Sequence, residues 1–377
     1  MRTKATIGAV AVLLLAVGAA RGDVFSMADP NLKNLEFVTV GNPGNAADIT
    51  GYGAVPYTYR MGTYDVTAAM YAQFLNAVAT QSDPFGLYNP SMAGGPGSAA
   101  CGITRTGSPG NYSYNTTSSG YVGVNSGNFP VNYVSWADAA RFANWLANGQ
   151  PTGTTEGAGT TETGSYTLNG AMDDGNLMKV TRNPGARYVL PTEDEWYKAA
   201  YYDPNKPGGA GYWVYPTRSD TAPSNALDAN GTNNANFYIR GSVFSDSINY
   251  LTEVGDFFSS PGPHGTYDIG GDVYQWSEAN IAGAYRGLRG GDFYTVADAL
   301  LSSVRGYEKP TYENSILGFR VTVVPEPVSL TLLSLGAPGF LYLRRRPKGV
   351  KRNRSLVPER SKTRQLRELP RTIPGCA

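Results

Sequence analysis

The chain has 377 residues, enough for one large domain or two ordinary ones. With 46 Gly, 25 Pro and 26 Tyr against only 16% charged residues, the composition excludes a long-helix bundle and reads as globular and loop-rich. The formal charge of +1 hides an asymmetry: residues 22–323 carry 16 Lys+Arg against 27 Asp+Glu, a net charge near −11, which makes nucleic acid a poor partner and a cation a plausible one.

The chain opens with MRTKATIGAVAVLLLAVGAARG, in which Arg2 and Lys4 precede an apolar run and Gly18-Ala19-Ala20 supplies small residues for cleavage. This reads as a secretory signal peptide over residues 1–22, the run being short for a membrane span. Asp65-Val66-Thr67 then leads into AAMYAQFLNAVA, where Met70, Phe74, Leu75 and Val78 share one face at helical spacing. Ser135-Trp136-Ala137-Asp138 is a capping box opening SWADAARFANWLAN, and Thr192-Glu193-Asp194-Glu195 is a second one opening TEDEWYKAAYY. Glu193, Asp194 and Glu195 could pass for a catalytic acidic cluster, but carboxylates in a first helical turn favour the dipole and cap the end.

Residues 86–128 and 149–176 are too rich in Gly, Ser, Thr and Asn for helix. Short strand-like runs fall at residues 35–40, 188–190, 273–276 and 318–323, and no internal repeat is visible. The expectation is one α+β domain over residues 23–323, with short strands, few helices and long loops. Trp196 and Trp276 are expected as core anchors, since large aromatics carry much of the buried area in a fold with little regular structure.

Cysteine is nearly absent: Cys101 lies in a Gly/Ser-rich loop and Cys376 is the penultimate residue, so a disulfide between them is not expected. His264 is the one histidine, which rules out a protein-borne multi-histidine metal centre and most histidine-based triads.

Near the C-terminus, Pro325-Glu326-Pro327 precedes sixteen largely apolar residues, 328–343, closed by Arg344, Arg345 and Arg346. Sixteen helical residues rise about 24 Å, marginal for a hydrocarbon core, and Pro338 would bend them. Residues 324–346 resemble the PEP-CTERM sorting tag of certain bacteria, which implies export, processing and retention at or beyond the cell surface by a sorting machinery. Membrane contact is expected only through this segment and the signal peptide. Such tags usually end just after the arginines, whereas here residues 347–377 continue as a basic stretch without hydrophobic periodicity, read as disordered.

Six motifs follow one another along the chain. They are MGTYDVT from Met61, PVNYVSW from Pro130, LPTEDEW from Leu190, GTYDIGGDVYQWSEA from Gly265, Arg289-Gly290-Gly291 and Gly318-Phe319-Arg320. In this order they resemble the formylglycine-generating enzyme family, also called sulfatase-modifying factors, over nearly all of residues 35–323. The resemblance implies a single domain related to the C-type lectin fold and stabilised by Ca²⁺. Active members oxidise a cysteine of a sulfatase peptide to formylglycine with O₂ and copper held by two thiolates, and other members share the fold without that chemistry.

The resemblance maps one calcium site onto the Asp268 and Gln275 side chains and the Gly271 and Val273 carbonyls. A second maps onto the Asn236 and Asp246 side chains and the Phe237 and Ile248 carbonyls. Hard Ca²⁺ wants six to eight oxygens, and alternating carbonyls can converge on one point. Two departures bear on this: Gln275 stands where the family usually has glutamate, and Asp272 where it usually has asparagine. Asp268 with Gln275 nevertheless leaves the formal ligand charge unchanged, so calcium is expected still to bind, less tightly.

In the copper oxidases two cysteines five positions apart follow the Arg-Gly-Gly turn. Here those positions hold Thr295 and Leu300, and no cysteine occurs between residues 102 and 375. Copper(I) wants soft sulfur ligands, so copper is not expected and the family oxidation should be absent. What remains is a pocket framed by Arg289, Asp292, Arg305, Tyr307 and Arg320, suited to a carboxylate or sulfate of an extracellular glycan or peptide. Alternatively the arginines brace the fold against Asp298, Glu308 and Glu313. The expected function is an exported binding or matrix-associated module. The alternative is a formylglycine-generating oxidase or another enzyme using the same cleft.

Overall fold

The computed structural model describes residues 26–325 apart from residues 96, 118–123, 154, 229 and 242–243. Residues 1–22, expected as a signal peptide, the expected sorting segment beyond Pro325, the basic residues 347–377 and Cys376 lie outside the described residues.

The three expected helices form where their caps place them. Helix α1 spans Ala68–Val78 and is capped by the Thr67 side chain. Both capping boxes close reciprocally, Ser135 with Asp138 at the head of α2 (Trp136–Ala147) and Thr192 with Glu195 at the head of α4 (Glu193–Tyr201). The remaining helix, α3, is one turn over Asp174–Leu177.

Twelve short strands and three 3-10 turns, Pro90–Ala93, Ser126–Asn128 and Ala297–Leu300, complete the described elements. In chain order the strands are β1 Phe37–Val40, β2 Tyr59–Gly62, β3 Ile103–Ser108, β4 Asn111–Thr116, β5 Tyr188–Val189 and β6 Tyr202–Asp203. There follow β7 Gly211–Tyr212, β8 Tyr274–Ile281, β9 Tyr285–Arg289, β10 Gly306–Glu308, β11 Leu317–Gly318 and β12 Thr322–Val323. One sheet has the order β1-β2-β12-β5 and another β10-β9-β8-β11, while β3-β4 and β6-β7 are separate hairpins. The run expected as one strand over residues 318–323 therefore divides. Leu317 and Gly318 pair parallel to β8, whereas Thr322 lies between Met61 and Val189 in the first sheet, so this short segment ties the two sheets together.

The α+β expectation holds, but residues 86–128 are more ordered than their polarity suggests. The β3-β4 hairpin forms there because α1 receives it. Asn76 uses both ends of its amide on one β4 residue, donating to Tyr114 O at 2.6 Å and accepting from Tyr114 N at 3.0 Å, as a neighbouring strand would. Ile103 and Tyr114 are buried against the core, and Gly110 turns the chain at φ +92°.

The core is aromatic. Phe74 of α1 meets Phe142 of α2 edge-on at 5.4 Å, and Phe142 meets Phe319 at 5.4 Å, so the phenylalanine of the Gly318-Phe319-Arg320 motif locks both helices onto the second sheet. Burying one such ring stabilises by roughly 1.5–3 kcal/mol. A second cluster gathers Trp196, Tyr197 and Tyr201 of α4 with Tyr59, Met61 and Ile269. Trp196 and Trp276 are both fully buried, as core anchors should be. No helix among the described residues is long and apolar enough to cross a membrane.

Candidate ligand-binding site

The loop at residues 265–279 is held by its backbone before any side chain acts. Gly271 sits at φ +88°, where a Cβ would lie 2.3 Å from Asn236 O, so only glycine lets these two segments touch. Its N–H donates to Gly290 O at 2.9 Å and the next N–H, of Asp272, donates to Asn236 O at 2.9 Å. The loop is thereby clamped between the Asn236 segment and the Arg289-Gly290-Gly291 turn.

Gln275 is fully buried and its amide has one possible orientation. Oε1 accepts from Trp196 Nε1 at 2.7 Å and from Arg320 Nε at 3.2 Å, both of which can only donate. The Nε2 end donates to Asp268 O at 3.0 Å, a carbonyl that can only accept, and to Asp65 Oδ2 at 3.3 Å, the oxygen that also accepts from Arg320. The Arg320 guanidinium beside it is spent on the carbonyls of Gly62, Thr63 and Tyr267 and on Asp65 Oδ2 at 3.0 Å. Burial pushes the Asp65 carboxyl up to about 7, against the pull of Arg320. Burial likewise raises Asp268 to about 6, although Gly255 N–H bonds its Oδ2 at 2.6 Å. Asp272 is held well above its ordinary value by burial and by the charge of Asp268, and it accepts from Asn236 Nδ2 at 3.0 Å and Thr252 Oγ1 at 3.0 Å.

Of the first calcium set, Gln275 does not present its side-chain oxygen to the loop as the resemblance implied. Gln275 offers its oxygen to Trp196 and Arg320 and turns N–H donors toward the loop carbonyl at Asp268. Asp268 Oδ1 is buried without a partner, and an amide donor of Gln275, not an oxygen, faces the Asp268 carbonyl. The second set is turned to other partners. Asp246 caps its own turn through Ile248 N and Asn249 N, Ile248 O accepts from Gly97 N, and Phe237 O accepts from Asn225 Nδ2. Asn236 instead joins Asp272, leaving its Oδ1 buried and unpaired. Among the described residues no group of three or more His, Cys, Asp or Glu side chains is placed to hold a metal ion.

The five residues expected to frame one pocket do not do so. Arg289 is 1% exposed and binds Glu193 at 2.7 Å, with the rings of Tyr52 and Tyr197 over its guanidinium. Arg320 is fully buried, as above, and Asp292 caps a turn by accepting from Tyr294 N at 2.6 Å and Thr295 N at 3.0 Å. Arg305 is partly exposed yet bonded to Glu193 Oε2 and Tyr52 OH, and Tyr307 stands in solvent against Tyr285. The arginines do brace the fold, but against Glu193 and Asp65 rather than Asp298, Glu308 and Glu313. These pairings are long-range, and no local spacing announces them.

A concavity lies elsewhere, a cleft of about 450 Å³ with Tyr250, Phe293 and Tyr294 on one side and Asn314, Ser315 and Ile316 on another. Asn132, fully buried beneath it, fixes two walls at once by donating to Ala99 O at 2.6 Å and Ser315 O at 2.7 Å. Its Oδ1 accepts from Cys101 N, next to a thiol that burial pushes up to about 11 and so keeps inert. The aromatic wall hangs from the clamped loop, because Phe293 N donates to Asp272 O at 3.0 Å and Tyr294 N to Asp292 Oδ1.

The sequence profile of the Sulfatase-modifying factor enzyme 1-like domain matches residues 53–324, well over half of the chain. The chain belongs to this family. Among solved structures it is similar to CarF, at 20% identity over 77% of this chain and 98% of that one, with a TM-score of 0.44. It is also similar to Treponema denticola variable protein 1 (20% identity, 80% and 99% covered, TM-score 0.46) and to PvdO from Pseudomonas aeruginosa (17%, 77% and 92%, TM-score 0.39). No curated protein matches.

In this sulfatase-modifying-factor domain Thr295 and Leu300, where the resemblance would place two cysteines, have structural work. Thr295 Oγ1 donates to Asp292 O and accepts from Asp292 N, both at 3.0 Å, which closes the turn on itself. Leu300 is fully buried with Tyr215, Ala235 and Phe237, and lies under Gly291, whose added Cβ would meet it at 2.9 Å. The cleft residues escaped the sequence reading. Phe293 and Tyr294 follow the Arg-Gly-Gly-Asp turn and could have been suspected as adjacent aromatics there. Ala99 and Asn132 reach the cleft only by tertiary folding.

Proposed function

We propose that this chain is an exported, surface-sorted member of the sulfatase-modifying-factor family that binds an extracellular ligand and does not form formylglycine. The observation that carries the reading is the chemistry at positions 295 and 300. A hydroxyl closed onto its own turn and a leucine packed beneath Gly291 offer copper(I) no sulfur. Cys101 supplies no substitute, being buried with a raised pKa. The apolar N-terminal run and the Pro325-Glu326-Pro327 segment with its arginine cluster support export and retention at the surface. A charge near −11 over residues 22–323 speaks against nucleic acid as the ligand.

The test is direct. The purified chain is incubated with Cu(I), O₂ and a sulfatase-type cysteine peptide, and the aldehyde is sought by mass spectrometry. No aldehyde and no tight equimolar copper is the expected result. Turnover of the peptide would make the chain an oxidase.

A further inference from the structure

We infer that the cleft between Tyr294 and Asn314 is a binding site for an uncharged sugar residue of a glycan, taken without a metal ion. The inference rests on the non-catalytic reading above and names the ligand class for it. Three features of the cleft select the ligand. The first is a stack of rings: Tyr294, 68% exposed, lies over Tyr238 at 6.2 Å and 17° and over Phe244 at 5.9 Å and 29°. Phe244 meets Tyr250 edge-on at 4.7 Å, and Tyr250 packs on Phe293, so the exposed ring is backed by four others and is not a loose surface tyrosine.

The second feature is polarity without charge. Ser98, Asn314 and Ser315 line the same concavity, and none of its described lining residues is ionisable at neutral pH. A pyranose presents an apolar C–H face that lies on an aromatic ring and equatorial hydroxyls that bond amides and hydroxyls at its rim. An acidic sugar would find no cation here and would meet a domain of net charge near −11. A peptide backbone would want a strand edge or freely offered carbonyls, whereas Ala99 O and Ser315 O each already accept from Asn132.

The third feature is rigidity. Asn132 ties Ala99 to Ser315, Gly97 N donates to Ile248 O at 2.9 Å, and the buried Asp272 and Asp292 carry the aromatic wall. The walls are therefore set before a ligand arrives, which lowers the ordering cost of binding. The volume of about 450 Å³ lies within the range of small-molecule sites.

The test uses the full chain on an array printed with neutral hexosides, uronic acid-containing and sulfated glycans, each in buffer with Ca²⁺ and in EDTA. Binding to a neutral hexoside that persists in EDTA is expected. Tyr294→Ala should weaken it by about tenfold, the loss of one aromatic anchor, while Tyr294→Phe keeps it and Tyr307→Ala, outside the cleft, leaves it unchanged. Near-UV circular dichroism reports whether each variant folds.

Preference for acidic glycans, loss of binding in EDTA, or equal binding by Tyr294→Ala would overturn the assignment. So would Tyr294-dependent capture of peptides from a neutral peptide library. A blank array would overturn the sugar site and leave the non-catalytic reading standing, since that reading fails on aldehyde formation alone.

Discussion

Gln275, expected from the family resemblance as a calcium ligand in the loop at residues 265–279, gives its oxygen to Trp196 and Arg320 instead. A carboxamide supplies an acceptor to Trp196 and Arg320 on one side and donors to Asp268 O and Asp65 on the other, which a carboxylate cannot do. In a Gln275→Glu variant the second oxygen would face a carbonyl and a carboxylate in a dry interior. That variant is expected to lose about 2 kcal/mol in urea unfolding in EDTA, the cost of an unsatisfied buried polar group. Millimolar Ca²⁺ should restore it, while the wild-type chain should be indifferent to chelator. Equal stability of the two proteins in EDTA would show that the amide donors do not matter. Gln275 was legible from its motif as a departure, but its consequence was not, because Asp65 and Arg320 lie 210 and 45 positions away in the chain.

At the scale of elements, local chemistry decided the helices. Thr67, Ser135 and Thr192 each cap the helix that the sequence assigned to them, since a capping box satisfies its own backbone groups within four residues. Replacing Thr192 by Ala should cost about 1 kcal/mol in urea unfolding, typical of a lost cap. A neutral Thr192→Ala would mean that Glu193 and Glu195, paired with Arg289, Arg305 and Arg182, hold the end of α4 by themselves. The β3-β4 hairpin was not legible because its stabilisation is supplied by the Asn76 amide on α1, and a polar run carries no mark of the partner that will order it.

The whole molecule holds half-buried carboxyls, Glu156 and Glu313 among them, and their protonation contributes to its response to pH. Burial, then the charge of Asp83, pushes the Glu156 carboxyl up to about 9, from an ordinary value of 4.5. Burial and Asp138 push Glu313 up to about 7. Between pH 4.5 and 9 the folded chain keeps a proton on Glu156 that the unfolded chain releases. This contribution to stability is therefore full below about pH 4.5 and lost as pH rises through about 9. The thermal midpoint is expected to fall from pH 5 to pH 9, and the fall should be shallower in Glu156→Gln. A midpoint that rises over that interval, or an unchanged slope in the variant, would contradict it.

The sequence by itself determined the family, the α+β class, the three capped helices, the tryptophan anchors and the scarcity of cysteine, because each is written in contiguous motifs or in plain residue counts. Tertiary structure alone decided which arginines are buried braces, why Gln275 faces the loop with donors, and where a cleft opens. Those properties belong to groups far apart in the chain, and only packing fixes the distance and the dielectric between them.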